Sequence, residues 1–128
     1  MKKIFTLMEL IAVVIIIGIL AVIALPTYRK AVLKVRDREA QAMLKLIKEA
    51  ERLYQLDYET YTNCTDTANC NALLDLDISS QYWNFSVSGA NSTQFCARAH
   101  TLNSAQTQYD DWYISEAMDE PSTAGCVH

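Results

Sequence analysis

An almost uninterrupted apolar run near the N-terminus, FTLMELIAVVIIIGILAVIAL, constrains the fold of this chain more than any other feature. Positions 10–25 carry neither a charge nor a strongly polar group. Together with positions 5–8 the run reaches about 20 residues, the length of helix that spans a bilayer. Glu9 is the single ionisable residue within it, and lipid penalises a charge there. The run therefore predicts a membrane-spanning helix that carries one unexplained acid.

The helical pattern continues beyond the apolar run, unlike that of a cleaved secretory signal. No Gly or Pro occurs over 27–56, and apolar residues recur at helical spacing with charges on the other face. One helix is thus predicted from about Phe5 to about Leu56, with a kink at Pro26 and a second weak point at Gly18. The predicted apolar stripe comprises Tyr28, Val32, Val35, Met43, Leu46, Ile47, Ala50, Leu53 and Tyr54.

Short alternations of apolar and polar residues predict a small antiparallel sheet in the C-terminal half. The polar segment 57–71 is interpreted as a loop. Because a sheet buries one face, its apolar side is expected to pack on helix residues 28–54. The predicted fold class is therefore α+β. The alternating apolar positions are Leu74, Leu76 and Ile78 in a short strand or extended arm, then Trp83, Phe85 and Val87, then Phe95, Ala97 and Ala99, and last Trp112 and Ile114.

Charge divides the chain into a basic front and an acidic back. Residues 1–52 carry ten Lys and Arg against five Asp and Glu, whereas residues 53–128 carry one base against ten acids. Such polarity could attract copies of the chain head to flank, although a solvated acidic surface that keeps the head soluble is the simpler interpretation. An acidic head does not predict a nucleic-acid partner.

Four cysteines, all after position 60, indicate disulfides in an oxidising compartment. Four cysteines allow three pairings. We favour Cys64–Cys70, which closes a short loop, together with Cys96–Cys126, which ties the C-terminus to the body. A zinc site is the alternative, but the scattered cysteines do not match its paired spacing.

No motif in the sequence supports catalysis, so we expect a protein that is not an enzyme. The chain has no Gly-rich phosphate loop and no HExxH, and no cysteine has a nearby histidine with a plausible orienting group. Asp110-Asp111 and Asp119-Glu120 are oxygen-rich pairs of the kind that calcium prefers, but their spacing matches no calcium loop. Surface acids are the better interpretation, and no cofactor is expected.

The stretch FTLMELIAVVIIIGILAVIALPTYRKA resembles the N-terminus of type IV pilins and of the related pseudopilins of type II secretion systems. The resemblance covers roughly residues 1–55. It rests on a short basic leader, on Glu9 at the fifth position counted from Phe5, and on a β-branched run with Gly18 and Pro26. It implies the ladle-like pilin fold, with a leader peptide at 1–4, a transmembrane and fibre-core helix at 5–26, its amphipathic continuation at 27–56 and a disulfide-stapled β head at 57–128.

The resemblance implies a structural subunit of a type IV pilus-like filament, a homo-oligomer at the cell surface. The precursor would lie in the inner membrane, where a prepilin peptidase cuts after Ile4 and methylates the amine of Phe5. The pilus assembly machinery would then pack the N-terminal helices, with Glu9 paired to the N-terminal amine of a neighbour and the Gly18–Pro26 segment free to lose helical structure. Ile4 stands where the family usually has glycine, which is a departure from the motif.

Two other functions remain open on the sequence alone. The first is a pseudopilin of a type II secretion system, which genomic neighbours and fibre length distinguish from a pilin. The second is a membrane-anchored, disulfide-bonded module that binds a ligand as a monomer. That module predicts no fibres and no dependence on Glu9.

Overall fold

The computed structural model describes residues 4–128, so the predicted leader lies outside it apart from Ile4. Two compact units divide the chain between Val32 and Leu33. The elements, in chain order, are α1 (Leu7–Tyr58), α2 (Thr67–Leu74), β1 (Trp83–Ser88), β2 (Cys96–Thr101), a short 3₁₀ helix (Ser104–Gln106) and β3 (Asp111–Ser115).

The first unit consists of the N-terminal part of α1. The helix begins at Leu7 and continues through Pro26 to Tyr58, within two residues of the ends predicted from the sequence. Every residue from Ile4 to Ala31 is exposed. Apolar residues on all sides of a helix need an external partner, either lipid or protein.

The second unit is built around a three-stranded antiparallel sheet in the order β1-β2-β3. In the register, Trp83 lies opposite Thr101 and Cys96 lies opposite Ser115. The strands confirm the predicted alternations at 83–87 and 112–114, and that at 95–99 except for Phe95, because β2 begins at Cys96. In β1 the odd-numbered side chains are buried and the others are more exposed, as a half-covered strand requires.

The core of the second unit lies between the sheet and one face of α1. The largest fully buried side chains include Trp83 and Phe85 from β1, and they share one cluster with Leu44 and Ile47 of α1. The indole nitrogen of Trp83 also donates a hydrogen bond of 2.9 Å to the carbonyl oxygen of Arg36 on the helix. A long helix packed on a small antiparallel sheet confirms the α+β fold class.

The buried face of α1 differs from the predicted stripe. Of that stripe Ile47 and Ala50 are buried, but Val35, Leu46 and Leu53 are exposed. The prediction followed residue type alone, whereas α1 carries apolar residues on two opposite faces and the sheet covers only one. The residues of α1 that the structure buries are Asp37, Ala40, Leu44, Ile47, Lys48, Ala50 and Glu51.

The segment 57–71, predicted as a loop, includes the first five residues of helix α2. The side chain of Asp66 accepts a hydrogen bond of 2.8 Å from the backbone N–H of Asn69 and so caps the start of this helix. Asp75 ends the helix in the left-handed region, with a φ of 53°. The loop prediction was wrong here because the Asp66 cap was overlooked.

The alternation of Leu74, Leu76 and Ile78 does not form a strand in the structure. Leu74 is the last residue of α2, and the chain then runs on without a neighbouring strand. The side-chain amide of Asn71 satisfies the backbone groups of Ile78 that a neighbouring strand would otherwise bind. It donates to the carbonyl oxygen of Ile78 at 2.8 Å and accepts from its N–H at 3.0 Å. The strand, one of the two predicted forms, is therefore wrong, and Leu74 belongs to α2 and not to an extended arm.

Two disulfides close the second unit, in the pairing that the sequence favours. Cys64–Cys70, the short disulfide, links residues six apart, and Cys96–Cys126, the long disulfide, links residues thirty apart. No cysteine is left as a thiol in the chain. A zinc site made of these cysteines is therefore excluded.

Candidate assembly site

The apolar surface of α1 is the most prominent candidate for a functional surface. Its most hydrophobic window has a mean hydropathy of 3.0 and is not covered anywhere by the rest of the chain. By length and composition this helix can cross a membrane. Soluble monomers rarely expose contiguous apolar patches of this extent, so the surface marks a membrane or protein contact.

Glu9 takes part in a reciprocal pair of hydrogen bonds at the start of α1. Its Oε2 accepts from the backbone N–H of Thr6 at 3.0 Å, and its own N–H donates to Thr6 Oγ1 at 3.3 Å. This is a capping box, which satisfies two backbone donors that the first helical turn leaves free. The sequence signal was the spacing of Thr6 and Glu9 in TLME, and our sequence interpretation of Glu9 did not include it.

The contacts around Gly18 give no reason within the chain for a glycine. A Cβ added there would meet no atom within 4 Å, and the glycine lies inside a regular helix. A helical glycine costs roughly 1 kcal/mol relative to alanine. Pro26 also lies inside α1, although it cannot donate the usual hydrogen bond to the preceding turn.

The second half of α1 carries an uncovered apolar face of its own. Val35, Leu46, Leu53 and Leu56, here named the outer stripe, are between 53% and 75% exposed. At 100° per residue Val35, Leu46 and Leu53 lie within about 20° of the side opposite Leu44, and Leu56 lies about 120° from it. Leu44 itself is fully buried. The sheet thus leaves this side of α1 open along its length from 35 to 56.

Three charged residues of α1 are buried between α1 and the head, although the sequence pattern predicted that the charges lie on the exposed face of the helix. Glu51 has 0% exposure, and its Oε2 accepts from the backbone N–H of Thr62 at 2.9 Å. Its Oε1 has no hydrogen-bond partner among residues 4–128. Burial raises the pKa of Glu51 to about 7, and the hydrogen bond from Thr62 offsets only part of that rise.

Lys48 and Asp37 are the other charged residues buried on this face. The Lys48 ammonium donates to the carbonyl oxygen of Met118. Asp37 Oδ1 accepts from the backbone N–H of Gln108 at 3.1 Å, but burial outweighs this bond and raises the pKa of the carboxyl. These three contacts fix the head to one face of α1.

The Asp110-Asp111 pair considered for calcium is partly engaged by bases. Asp111 Oδ1 lies 2.7 Å from both Arg98 Nε and His100 Nδ1. Burial acts to raise the pKa of Asp111, but hydrogen bonds from both bases outweigh it and hold the pKa below its usual value.

The other acidic pair is engaged in the same way, since Glu120 pairs with Lys45 at 2.7 Å. Within residues 4–128 no three His, Cys, Asp or Glu residues lie close enough together to hold a metal ion.

The exposed apolar helix has an acid in the capping box at its start, and a disulfide-stapled antiparallel sheet packs on its later turns. These features fit the pilin class that the N-terminal sequence resembles. No protein-family model matches the chain. The chain is 33% identical to the type IV wide pilus major component PilA4 of Thermus thermophilus, over 94 residues that cover 72% of this chain and 68% of that relative. The chain belongs to the type IV pilin family.

Family membership confirms the resemblance seen in the N-terminal sequence. The two disulfides and the apolar helix fit that family. Membership of this family indicates a structural protein. The individual roles of Ile4, Phe5, Glu9, Gly18 and Pro26 stay predictions.

Proposed function

We propose that this chain is the structural subunit of a type IV pilus-like filament, built from an inner-membrane precursor by packing of the N-terminal helices. The observation that carries the proposal is the uncovered apolar surface of α1. All residues from Ile4 to Ala31 are exposed, and the outer stripe leaves the later turns open as well. Lipid can cover the first part before assembly, and other copies of α1 can cover both parts in a filament.

The proposal favours a pilus subunit over a pseudopilin because the similar protein is itself named a pilus major component. A monomeric binding module would leave the outer stripe in water, which costs about 25 cal/mol for each Å² of apolar surface. A prepilin peptidase and a pilus assembly machinery are the partners that this function requires.

Glu9 is proposed to pair with the N-terminal amine of a neighbouring subunit. Its carboxylate already accepts from Thr6, but that bond supplies no positive charge. A carboxylate in an apolar filament core is costly unless a cation neutralises it. Cleavage after Ile4 would create such a cation at Phe5, and an unpaired Glu9 would penalise a subunit in the wrong register.

Gly18 and Pro26 are proposed to serve assembly rather than the folding of a single chain. Neither residue stabilises α1, and the space around Gly18 is empty within 4 Å of an added Cβ. A glycine at such a place suits a close approach by a neighbouring helix. It also suits a local loss of helix between the two residues.

The test separates the charge of Glu9 from its capping role. Glu9→Gln keeps a side chain that completes a capping box but removes the charge, whereas Thr6→Val disrupts the box and keeps the charge. In cells with a pilus assembly machinery, we expect both variants to insert into the membrane and only Glu9→Gln to lose filaments. Glu49→Gln, an exposed acid on the same helix, is the control.

Filaments from Glu9→Gln in wild-type amounts would contradict the charge pair. Mass spectrometry of purified wild-type filaments tests the processing step in the same preparation. A chain that begins at methylated Phe5 is expected despite Ile4, and an intact Met1 would contradict cleavage.

A further inference from the structure

A concave pocket of about 340 Å³ lies between the last turns of α1 and the end of α2. Helix α1 contributes Tyr54, Asp57 and Tyr58 to its lining, and the end of α2 contributes Leu73 and Asp75. We name it the acidic pocket. It has an apolar wall and two carboxylates. Leu53 belongs both to this wall and to the outer stripe, whereas the proposed packing of α1 assigns no role to the two carboxylates.

Among residues 4–128, no Lys, Arg or His lines the acidic pocket. No Lys, Arg or His occurs between Arg52 and Arg98, and Arg52 pairs with Glu49 at 3.4 Å. Within residues 4–128, Asp57 and Asp75 form no ion pair. Two unpaired carboxylates that line one pocket repel each other, so a positive charge placed there is attracted by both.

The aromatic rings of the pocket suit a cation on a long side chain. Tyr54 and Tyr58 lie one helical turn apart with ring centroids 4.4 Å from each other, and Tyr58 is 65% exposed. A Lys or Arg head beside these rings gains a cation–π contact as well as a charged hydrogen bond. Its methylene stem can lie along Leu53 and Leu73.

A matching set of free bases lies earlier on α1, in residues 29–38. Arg29, Lys30, Lys34 and Arg38 are exposed and form no ion pair within residues 4–128. They cannot fill the pocket of their own chain, because nineteen residues of helix separate Arg38 from Asp57, a rise of roughly 28 Å.

We propose that the acidic pocket receives a Lys or Arg side chain from residues 29–38 of a second copy of this chain. The inference rests on the proposed filament and names one lateral contact within it. In this contact, the basic N-terminal half of one copy binds the acidic C-terminal half of another. Such a contact between charges sets the register and the choice of partner more than it sets overall affinity.

The test measures the ratio of filaments to membrane-inserted precursor. Asp57→Asn combined with Asp75→Asn removes both charges, and asparagine tolerates the left-handed backbone of Asp75. Asp57 and Asp75 are exposed in the single chain, and the proposed contact would cover them. We expect about a tenfold lower ratio, because loss of both acids would leave the base of the second copy covered and unpaired. Asp119→Asn removes an exposed acid elsewhere on the head and is expected to leave the ratio unchanged.

Charge exchange identifies the occupant. Asp57→Lys is combined in turn with Arg29→Glu, Lys30→Glu, Lys34→Glu or Arg38→Glu, and we expect one combination to restore filaments. An unchanged ratio in the double asparagine variant overturns the proposal, and so does an equal loss in Asp119→Asn or a failure of all four exchanges. Loss of the precursor from the membrane in the Glu variants also overturns it, because the bases then serve the lipid surface.

Outcomes for the two proposals can be told apart. A wild-type chain that forms no filaments overturns the proposed function and this contact together. Wild-type filaments that do not respond to the double asparagine variant overturn the contact alone.

Discussion

We predict that Glu51→Gln changes how the stability of the head depends on pH. Glu51 is fully buried, and its pKa rises from a reference value of 4.5 to about 7. That shift of about 2.5 units corresponds to roughly 3 kcal/mol of differential stability between the two protonation states. Because the carboxyl is fully buried, solvent screening does not reduce this figure much.

The direction follows from proton binding. Below about pH 4.5 the Glu51 carboxyl is neutral in both the folded and the unfolded chain, so it imposes no charge penalty. Between pH 4.5 and about 7 the unfolded chain releases its proton while the folded one keeps it, and the free energy of unfolding falls. Above about pH 7 the full penalty is present. Asp37, whose pKa is also raised, adds a decrease of the same sign.

Glu51→Gln keeps an acceptor for the N–H of Thr62 and removes the ionisation. The amide nitrogen of the new glutamine has no evident partner, which costs about 1–3 kcal/mol at every pH. The diagnostic quantity is therefore the change of stability with pH, not its absolute value. We expect the wild-type chain to lose about 3 kcal/mol more than the variant between pH 4 and pH 8.

Urea unfolding of the full chain in detergent, with disulfides intact, measures this difference through tryptophan fluorescence. Trp83 is buried in the core and reports on the head. Glu49→Gln changes an exposed acid two residues away and should keep the wild-type pH dependence. Parallel pH profiles for the wild type and Glu51→Gln would refute the argument from burial.

Two further predictions concern the stability of the head. Replacing the long disulfide by a pair of serines should cost ~3.5 kcal/mol, against ~2 kcal/mol for the short one, because loops of thirty and six residues constrain the unfolded chain to different extents; equal losses in urea unfolding would speak against this order. Leu44→Ala should cost about 2–5 kcal/mol, whereas Leu46→Ala, two residues along the same helix and 53% exposed, should cost less than about 1 kcal/mol. A comparable loss in both variants would show that the outer stripe is covered within the chain.

Local patterns in the sequence predict most of the fold. The alternation around Phe85, Ala97 and Ile114 identifies the strands because a half-covered strand has a strict period of two. The ends of α1 follow from its apolar run and from the absence of helix breakers. The disulfide pairing follows from the short loop between Cys64 and Cys70.

The covered face of α1 could not be chosen from residue type. Apolar residues such as Leu46 and Leu53 lie on one side of the helix and Leu44 on the other, and both sides are suited to burial. Tertiary packing selects one of them, and it brings Glu51 into the core because seven residues, about two helical turns, separate it from Leu44. The apolar residues on the exposed side are explained if a second copy of the chain covers them.

Helix α2 was missed for a different reason. Its first residues belong to the polar segment 57–71, and polar composition predicts a loop when capping is ignored. The carboxylate of Asp66 caps its first turn, and Asp75 ends it with a left-handed backbone. The sequence evidence for this helix was therefore limited to two residues. The capping box of Thr6 and Glu9 was overlooked in the same way, because Glu9 was interpreted only as an assembly residue.

A helical reconstruction of filaments formed by this chain, at a resolution that shows side chains, tests the central claim most directly. We expect the first turns of α1 from several copies to meet at the filament axis, the outer stripe to face other copies, and the sheet to lie outside. The carboxylate of Glu9 is expected within hydrogen-bonding distance of the Phe5 amine of a neighbour. Filaments held together by their heads, with the apolar run of α1 outside the core, would contradict the account.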